Sequence, residues 1–251
     1  MAFDAGFAHD VLLPVTDAAY QLSRGQNLTL PSGWQQTGIV TVDQSRIDRE
    51  TASGVAKTTL LEDCDWGVVA RKSNISVIAI RGTETQHQWL EDFTAIAQPV
   101  AHQAWWIHRG FDEVWNSLAV SLQKAWDTAC SAGAQVYITG HSLGAAVALI
   151  MGVYHPEAET WTFAGPAVFS PIHGLPPSAN IARIVNPKDL VPRVPLPPVY
   201  EHIGEQVLIE GASDQFDFAL QHGLNTYSTG LTLFIGREQD TISRSASGNP
   251  Q

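Results

Sequence analysis

The fold of this chain is decided by residues 134–154, AQVYITGHSLGAAVALIMGVY. The first part, Ala134 to Thr139, is rich in β-branched and aromatic residues and predicts a short strand. The second part, Ser142 to Tyr154, is an almost uninterrupted apolar run, which predicts a buried helix because it is too short to cross a bilayer. The turn between them contains Gly140, His141 and Ser142. A strand therefore passes through a glycine-containing turn directly into a core helix.

Further strands and helices can be predicted on both sides of this unit. The predicted strands are Gly38–Val42, Trp66–Ala70, Ile75–Ile80, Thr160–Ala164, Ile181–Val185 and Gln206–Ile209. The predicted helices are 7–23, ending near Gly25, then Phe111–Cys130 and His222–Phe234. The segment Glu84–Arg109 is irregular and predicts a loop.

The alternation of strands and helices in the second half predicts right-handed crossovers and parallel strands, whereas the first half predicts antiparallel ones. The expected fold class is α/β, with one domain over residues 1–251. Its mixed, mainly parallel central sheet carries helices on both faces. The polar residues 238–251 predict a loose tail.

Composition restricts the partners. The 251 residues carry a formal net charge of −11, and this charge disfavours nucleic acid and anionic headgroups as partners.

Cys64 and Cys130 match neither a metal spacing nor a disulfide framework, so free thiols are expected. The N-terminal residues show no basic segment followed by an apolar one, which predicts no secretory signal and a protein that is cytoplasmic or secreted by another route.

The sequence Gly140-His141-Ser142-Leu143-Gly144 fits a nucleophile elbow, in which a strained turn presents a serine at the head of a helix. The flanking glycines let strand and helix approach without a Cβ clash. The exposed N–H of Leu143 would supply half of an oxyanion hole, reinforced by the helix dipole. The alternative is a glycine-rich turn whose serine only caps the helix.

A serine nucleophile needs a base, and α/β-hydrolases present Ser, then Asp or Glu, then His along the chain. Asp189 follows the predicted strand Ile181–Val185, and His222 heads the last predicted helix. We favour His222 over His202 because the base must approach Ser142 from a separate loop. Asp189 could also be only a turn residue beside a proline. The remaining histidines show no metal-ligand spacing and default to surface or packing roles: His9, His87, His102, His108, His141, His155 and His173.

Several segments, in order, resemble the class 3 lipases, a family that includes fungal triacylglycerol lipases, feruloyl esterases and bacterial relatives. The matching segments are 79–83 with Trp89, Leu90 and Asp92, then 108–111, 139–146, 162–166, 183–192, 200–204 and 222–227. The resemblance covers most of the chain. It implies an α/β-hydrolase fold and the hydrolysis of carboxylic esters.

The resemblance also implies roles for individual residues. Thr83 would provide the second oxyanion N–H beside that of Leu143, and Ser142, Asp189 and His222 would form the triad. The residues after Thr83, through roughly Pro99, resemble the lid, and their polar part, 84–88, favours soluble short-chain or aryl esters. An arginine usual in the family is replaced by Ala167. Trp105 and Trp106 could form an apolar wall or interfacial patch, or could belong to the core.

These observations predict a serine hydrolase that acts on small-molecule or lipid esters, with a transient lipid interface as a further possibility. The predicted chemistry needs no metal and no organic cofactor. Two rival hypotheses use the same fold. One is a catalytically silent lipase-like binding or regulatory protein, and the other is an acyltransferase that passes the same acyl-enzyme to an alcohol.

Overall fold

The computed structural model describes residues 3–43, 65–83, 99–102, 104–211 and 217–246. The helices are α1 (Ala5–Phe7), followed by a π-helical turn (Ala8–Leu12), α2 (Leu13–Ser23), α3 (Arg109–Cys130), α4 (Leu143–Tyr154), α5 (Phe218–His222) and α6 (Leu224–Ala246). The strands are β1 (Gln35–Thr41), β2 (Asp65–Lys72), β3 (Ile75–Ile80), β4 (Pro99–His102), β5 (Trp105–His108), β6 (Gln135–His141), β7 (Glu159–Phe163), β8 (Phe169–Ser170), β9 (Ile181–Val185) and β10 (Glu205–Leu208). None of the described helices is both long and apolar enough to span a membrane.

The central sheet has seven strands in the order β1-β2-β3-β6-β7-β9-β10. Strands β1, β2 and β3 pair antiparallel, and β3, β6, β7, β9 and β10 pair parallel. The predicted mixed, mainly parallel sheet with an antiparallel front half is confirmed. Because parallel strands place their carboxyl ends at one edge, the turns after β3, β6 and β9 meet there.

Helices cover both faces of this sheet, as the sequence predicted. Alternate residues of β2 and β3 point to opposite faces. Val69 and Ile78 belong to the core cluster that contains the buried side of α3 and α4. Val68 and Val77 belong to a second cluster, formed with α2 and α6. The second face is therefore closed by the first and last long helices of the chain.

A small second sheet corrects the prediction of a loop over Glu84–Arg109. Strand β5 pairs antiparallel with β4 and with β8, giving the order β4-β5-β8. These strands have only two to four residues, and β8 pairs with a strand far away in sequence, so no local alternation identified them. Residues 84–98 lie outside the described part of the chain.

The last helices also differ from the prediction. Gly223 is extended (φ −67°, ψ 147°) and separates α5 from α6, so His222 ends a short helix instead of beginning the long one. Helix α6 continues to Ala246, whereas Phe234 was the predicted end and residues from 238 were expected to be loose. Arg237, Glu238 and Gln239 are good helix formers, so the helix continues beyond the apolar pattern by which its end was predicted.

Glycines hold β6, α4 and β3 close together. A Cβ on Gly140 would lie 2.3 Å from the Gly144 carbonyl oxygen. One on Gly144 would lie 2.3 Å from the carbonyl oxygens of Ile80 and Arg81. Backbone atoms cannot move aside as a flexible side chain can, so these positions require glycine.

We therefore expect Gly144→Ala to lower the free energy of unfolding by about 3 kcal/mol or more. For a chain of this size, this corresponds to a fall in Tm of roughly 6–12 °C. Gly236→Ala, in α6, is the matched control because its added Cβ would meet nothing within 4 Å. The control should be neutral or stabilised by up to about 1 kcal/mol. Equal melting temperatures for the two variants, measured by calorimetry, would contradict the packing argument.

Candidate active site

Ser142 occupies the turn between β6 and α4 in a strained conformation. Its φ of 58° and ψ of −125° lie in a region that favours glycine, and the residue is fully buried. Its N–H donates to the Phe163 carbonyl (3.1 Å), which ties the turn to the end of β7. Such strain costs about 1–3 kcal/mol and is typical of a turn that presents a functional group.

Asp189 and His222 form a buried pair. Asp189 lies in the turn after β9, and its Oδ2 accepts hydrogen bonds from His222 Nδ1 and from the Tyr227 hydroxyl, both at 2.8 Å. Its Oδ1 accepts from the Val191 N–H at 3.0 Å. Both side chains of the pair are 0% exposed. Because a carboxylate can only accept, His222 donates to it from Nδ1, and Nε2 is the ring nitrogen left to act on another group.

Ser142 Oγ, His222 Nε2 and Thr83 Oγ1 are among the buried polar side-chain atoms that lack a hydrogen-bond partner in the described part of the chain. Buried polar atoms are normally paired, so an unpaired hydroxyl at a strained turn and an unpaired nitrogen on a buried His–Asp pair are candidates for a function. A Cβ on Gly82 would lie 2.8 Å from Ser142 Cβ, so the chain leading into Thr83 passes directly against the serine turn. Catalytic hydrogen bonds often form fully only when a substrate is bound.

Backbone donors are available beside the serine. Leu143 is the first residue of α4, so its N–H has no carbonyl acceptor within the helix. The helix dipole adds partial positive charge at this point. Thr83 leaves the end of β3, the strand next to β6 in the sheet. The two predicted oxyanion donors thus lie on adjacent strand ends.

Of the two candidate bases, only His222 hydrogen-bonds to Asp189. His202 donates from Nε2 to the Pro192 carbonyl (2.6 Å), as a histidine bonded within its own loop. Burial, together with the nearby charge of Arg183, lowers the pKa of His202 to about 4. His202 is therefore neutral at physiological pH and holds the segment after Asp189.

The lowered pKa of His202 makes stability depend on pH. The unfolded chain protonates this histidine near its ordinary pKa of 6.5 and the folded chain only near 4, so its stabilising contribution is present above pH 6.5 and is lost as the pH falls. We expect a loss of about 1.5 kcal/mol from His202 between pH 6.5 and pH 5. Urea unfolding of the parent and of His202→Gln at both pH values measures it. Equal pH slopes for the two proteins would refute the assignment.

A comparison with protein families matches residues 77–198 to the lipase (class 3) model. The matched segment contains Thr83, Ser142, Leu143 and Asp189. Over this segment, which is just under half of its length, the chain is similar to the class 3 lipases. The prediction from its sequence motifs is thereby confirmed.

Three fungal lipases are similar to this chain. A secreted mono- and diacylglycerol lipase of Fusarium solani is 26% identical over 159 residues, covering 57% of this chain and 46% of that protein. The chain thus spans about half the length of the curated relative it matches. The Lip2 lipase of Yarrowia lipolytica has a TM-score of 0.61 at 18% identity, covering 79% of this chain and 76% of that one. The Rhizomucor miehei lipase has a TM-score of 0.57 at 19% identity, covering 92% and 78%. These structures support the α/β-hydrolase fold.

Sequence reasoning missed two residues of this candidate site. Tyr227 was given no role beyond its place in the predicted helix His222–Phe234, although its hydroxyl binds Asp189. Burial, followed by the charge of Asp189, raises the pKa of Tyr227 well above its usual range, so the hydroxyl stays protonated and donates. His141 was assigned to the surface or to packing, but it is buried with both ring nitrogens bonded. A buried tyrosine or histidine with a polar tip normally has a specific partner, and this was the available signal.

The other predicted features of the lipase segment have mixed outcomes. Ala167, where the family arginine is missing, is buried, and its N–H donates to the Val194 carbonyl (2.9 Å). Trp105 is half-buried against the core and Tyr154, whereas Trp106 packs on His173. Cys130 is a free thiol. The polar part of the lid segment, together with His87 and Cys64, lies outside the described residues.

Proposed function

We propose that this protein hydrolyses carboxylic esters, with Ser142 as nucleophile, His222 as base and Asp189 as the residue that orients the base. One observation carries the proposal. The 2.8 Å bond from His222 Nδ1 to Asp189 leaves Nε2 as the ring nitrogen that can take up a proton from the nucleophile, and among the described residues both Nε2 and the buried Ser142 hydroxyl lack a hydrogen-bond partner. A hydroxyl and a free basic nitrogen are the two groups that acyl transfer needs.

The chemistry proceeds in two halves. Ser142 Oγ attacks the ester carbonyl carbon while His222 Nε2 accepts its proton, and the N–H groups of Leu143 and Thr83 stabilise the oxyanion. The tetrahedral intermediate collapses as the alcohol leaves with the proton from Nε2, which gives an acyl-serine. Water then attacks this ester, again losing its proton to His222, and the carboxylic acid is released. Asp189 favours the imidazolium formed in each half.

The proposed substrates are uncharged esters of lipids or small molecules. Acylglycerols are suggested by the name of the Fusarium solani relative. The net charge of −11 favours neutral substrates over anionic ones. The polar composition of residues 84–88 favours soluble short-chain or aryl esters over long-chain ones. The intact Asp189–His222 pair supports an enzyme over a catalytically silent binding protein, which would need no aligned base.

The proposal is tested by turnover and by covalent labelling. A p-nitrophenyl ester series from acetate to palmitate measures hydrolysis and chain-length preference. A fluorophosphonate probe, followed by peptide mass spectrometry, should label Ser142 with one equivalent per chain. Glycerol added as acceptor distinguishes hydrolysis from acyl transfer, since transfer would yield glycerol esters. A folded protein that turns over no ester and takes up no label would refute the proposal.

A further inference from the structure

A buried chain of hydrogen bonds joins three parts of the candidate site. The Gly82 N–H donates to the hydroxyl oxygen of Tyr20 (2.8 Å), and this hydroxyl contacts His141 Nδ1 (2.8 Å). His141 Nε2 contacts the backbone carbonyl oxygen of His222 (2.8 Å). Tyr20 comes from α2, far from the other members in sequence. The hydrogen-bond chain thus links three segments of the site. They are the backbone at Gly82, just before Thr83, the side chain of His141, just before Ser142, and the backbone of the proposed base, His222.

The donors and acceptors in this chain have only one consistent arrangement. A carbonyl oxygen can only accept, so His141 must carry a proton on Nε2. In the neutral ring Nδ1 then accepts, and the Tyr20 hydroxyl donates to it. The same hydroxyl accepts the Gly82 N–H through a lone pair. His141 and His222 therefore hold opposite tautomers, protonated on Nε2 and Nδ1 respectively.

Burial keeps His141 in this neutral form. Tyr20 is 5% exposed and His141 1% exposed, so bulk water does not compete for these bonds. The rings of His222 and Tyr227 lie 4.7 Å and 6.2 Å from that of His141. Burial and the neighbouring His222 lower the pKa of His141 well below its ordinary value. Protonation of the His141 ring would place a second hydrogen, on Nδ1, opposite the hydrogen that the Tyr20 hydroxyl donates to Nδ1.

We propose that Tyr20 and His141 are positioning residues, which fix the oxyanion backbone at Gly82–Thr83 and the backbone of His222 relative to the Ser142 turn. This inference rests on the proposed function. Acyl transfer depends on the distance from the nucleophile to the base and on the distances from the nucleophile to the oxyanion donors. The hydrogen-bond chain connects the three segments that carry these groups. Displacements of about 1 Å in such a site can reduce turnover by roughly 100-fold.

Tyr20→Phe isolates the contribution of the hydroxyl. It retains the ring but leaves the Gly82 N–H and His141 Nδ1 without their partner. We expect kcat to fall roughly 10- to 100-fold, with KM nearly unchanged, because the variant disturbs transition-state geometry more than substrate binding. Tyr137→Phe is the matched control, since it removes a hydroxyl that bonds to Gln135 and Glu159 near the start of β6, at the end of the strand opposite to the Ser142 turn. Its kcat should equal that of the parent.

A second pair of variants tests His141 itself. The side-chain amide of His141→Gln can donate to the His222 carbonyl and accept from Tyr20, whereas His141→Leu can do neither. We expect the glutamine variant to retain more kcat than the leucine variant at comparable thermal stability. Equal losses in the two would indicate a packing role only.

The tautomers give a readout that does not depend on turnover. Long-range proton–nitrogen NMR correlations of the imidazole rings should show His141 protonated on Nε2 and His222 on Nδ1. A His141 ring protonated on Nδ1, or an unchanged kcat in Tyr20→Phe within an active parent, would overturn the inference alone. A parent that hydrolyses no ester would instead overturn the proposed function, and the two failures are thereby distinguished.

Discussion

Replacing Ser142 by alanine is expected to lower kcat/KM for ester hydrolysis by roughly 10⁴- to 10⁶-fold, because the nucleophile of an acyl-enzyme pathway has no substitute. The fold should be retained, since alanine fits the same turn and the Ser142 hydroxyl makes no hydrogen bond with any described group. The measurement is turnover of the p-nitrophenyl ester to which the parent responds best. Circular dichroism on both proteins confirms matched folding.

Ser76→Ala provides the matched control for this loss. Ser76 lies in β3, is fully buried, and its hydroxyl is also unpaired within the described part of the chain. The two substitutions remove the same group from equally buried positions of one sheet. Full activity in Ser76→Ala, with loss in Ser142→Ala, assigns the chemistry to position 142. Comparable turnover in both variants would rule out Ser142 as the nucleophile.

Asp189→Asn is expected to reduce kcat by about 10⁴-fold while leaving the backbone in place. Asp189 Oδ2 accepts two hydrogen bonds, from His222 Nδ1 and from the Tyr227 hydroxyl, and a side-chain NH₂ at that position would oppose both donors. The imidazole then favours protonation on Nε2, which removes the basic lone pair from the side of Ser142. The loss of kcat should persist across pH 6 to pH 9, because the variant holds the His222 ring in the wrong tautomer and a change of pH does not correct the tautomer.

Asp112→Asn makes the same change at a second His–Asp pair. His102 Nδ1 lies 2.5 Å from Asp112 Oδ1, at the junction of β4 and α3, away from Ser142 in the fold. This variant should keep the turnover of the parent, although its stability can fall as a buried histidine loses its partner. A loss in Asp112→Asn as large as that in Asp189→Asn would show that the effect reports general disruption and not orientation of the base.

Local patterns predicted the central sheet well because each strand is marked within its own sequence. Strand β9 is a run of five buried residues, and the apolar helix after Ser142 has no charged residue. The order Ser142, Asp189, His222 was likewise readable, since it depends on chain order and on the strand that precedes each residue. The structure shows Asp189 and His222 in contact. Their catalytic roles are part of the proposal made above.

Most of the features that local patterns missed depend on pairing between distant residues. Strand β8 has two residues and exists only because β5 pairs with it. Tyr20 gives no sign in sequence that its hydroxyl reaches Gly82 and His141. The break at Gly223 was missed for a local reason, since a single glycine at the start of a helical pattern does not by itself show that the backbone there is extended. A hydrogen bond between segments that are far apart in the chain leaves no periodicity to detect.

The closing of one sheet face by α2 and α6 has a consequence for the newly made protein. Synthesis delivers the chain from its N-terminus, and domains generally fold as units. A nascent chain that has emerged only through Asp189 holds the nucleophile and the acid, but His222 and the partner helix of α2 have yet to arrive. By the proposed mechanism such a chain has no base and cannot form an acyl-enzyme, so hydrolytic competence appears only when both ends of the domain have come together.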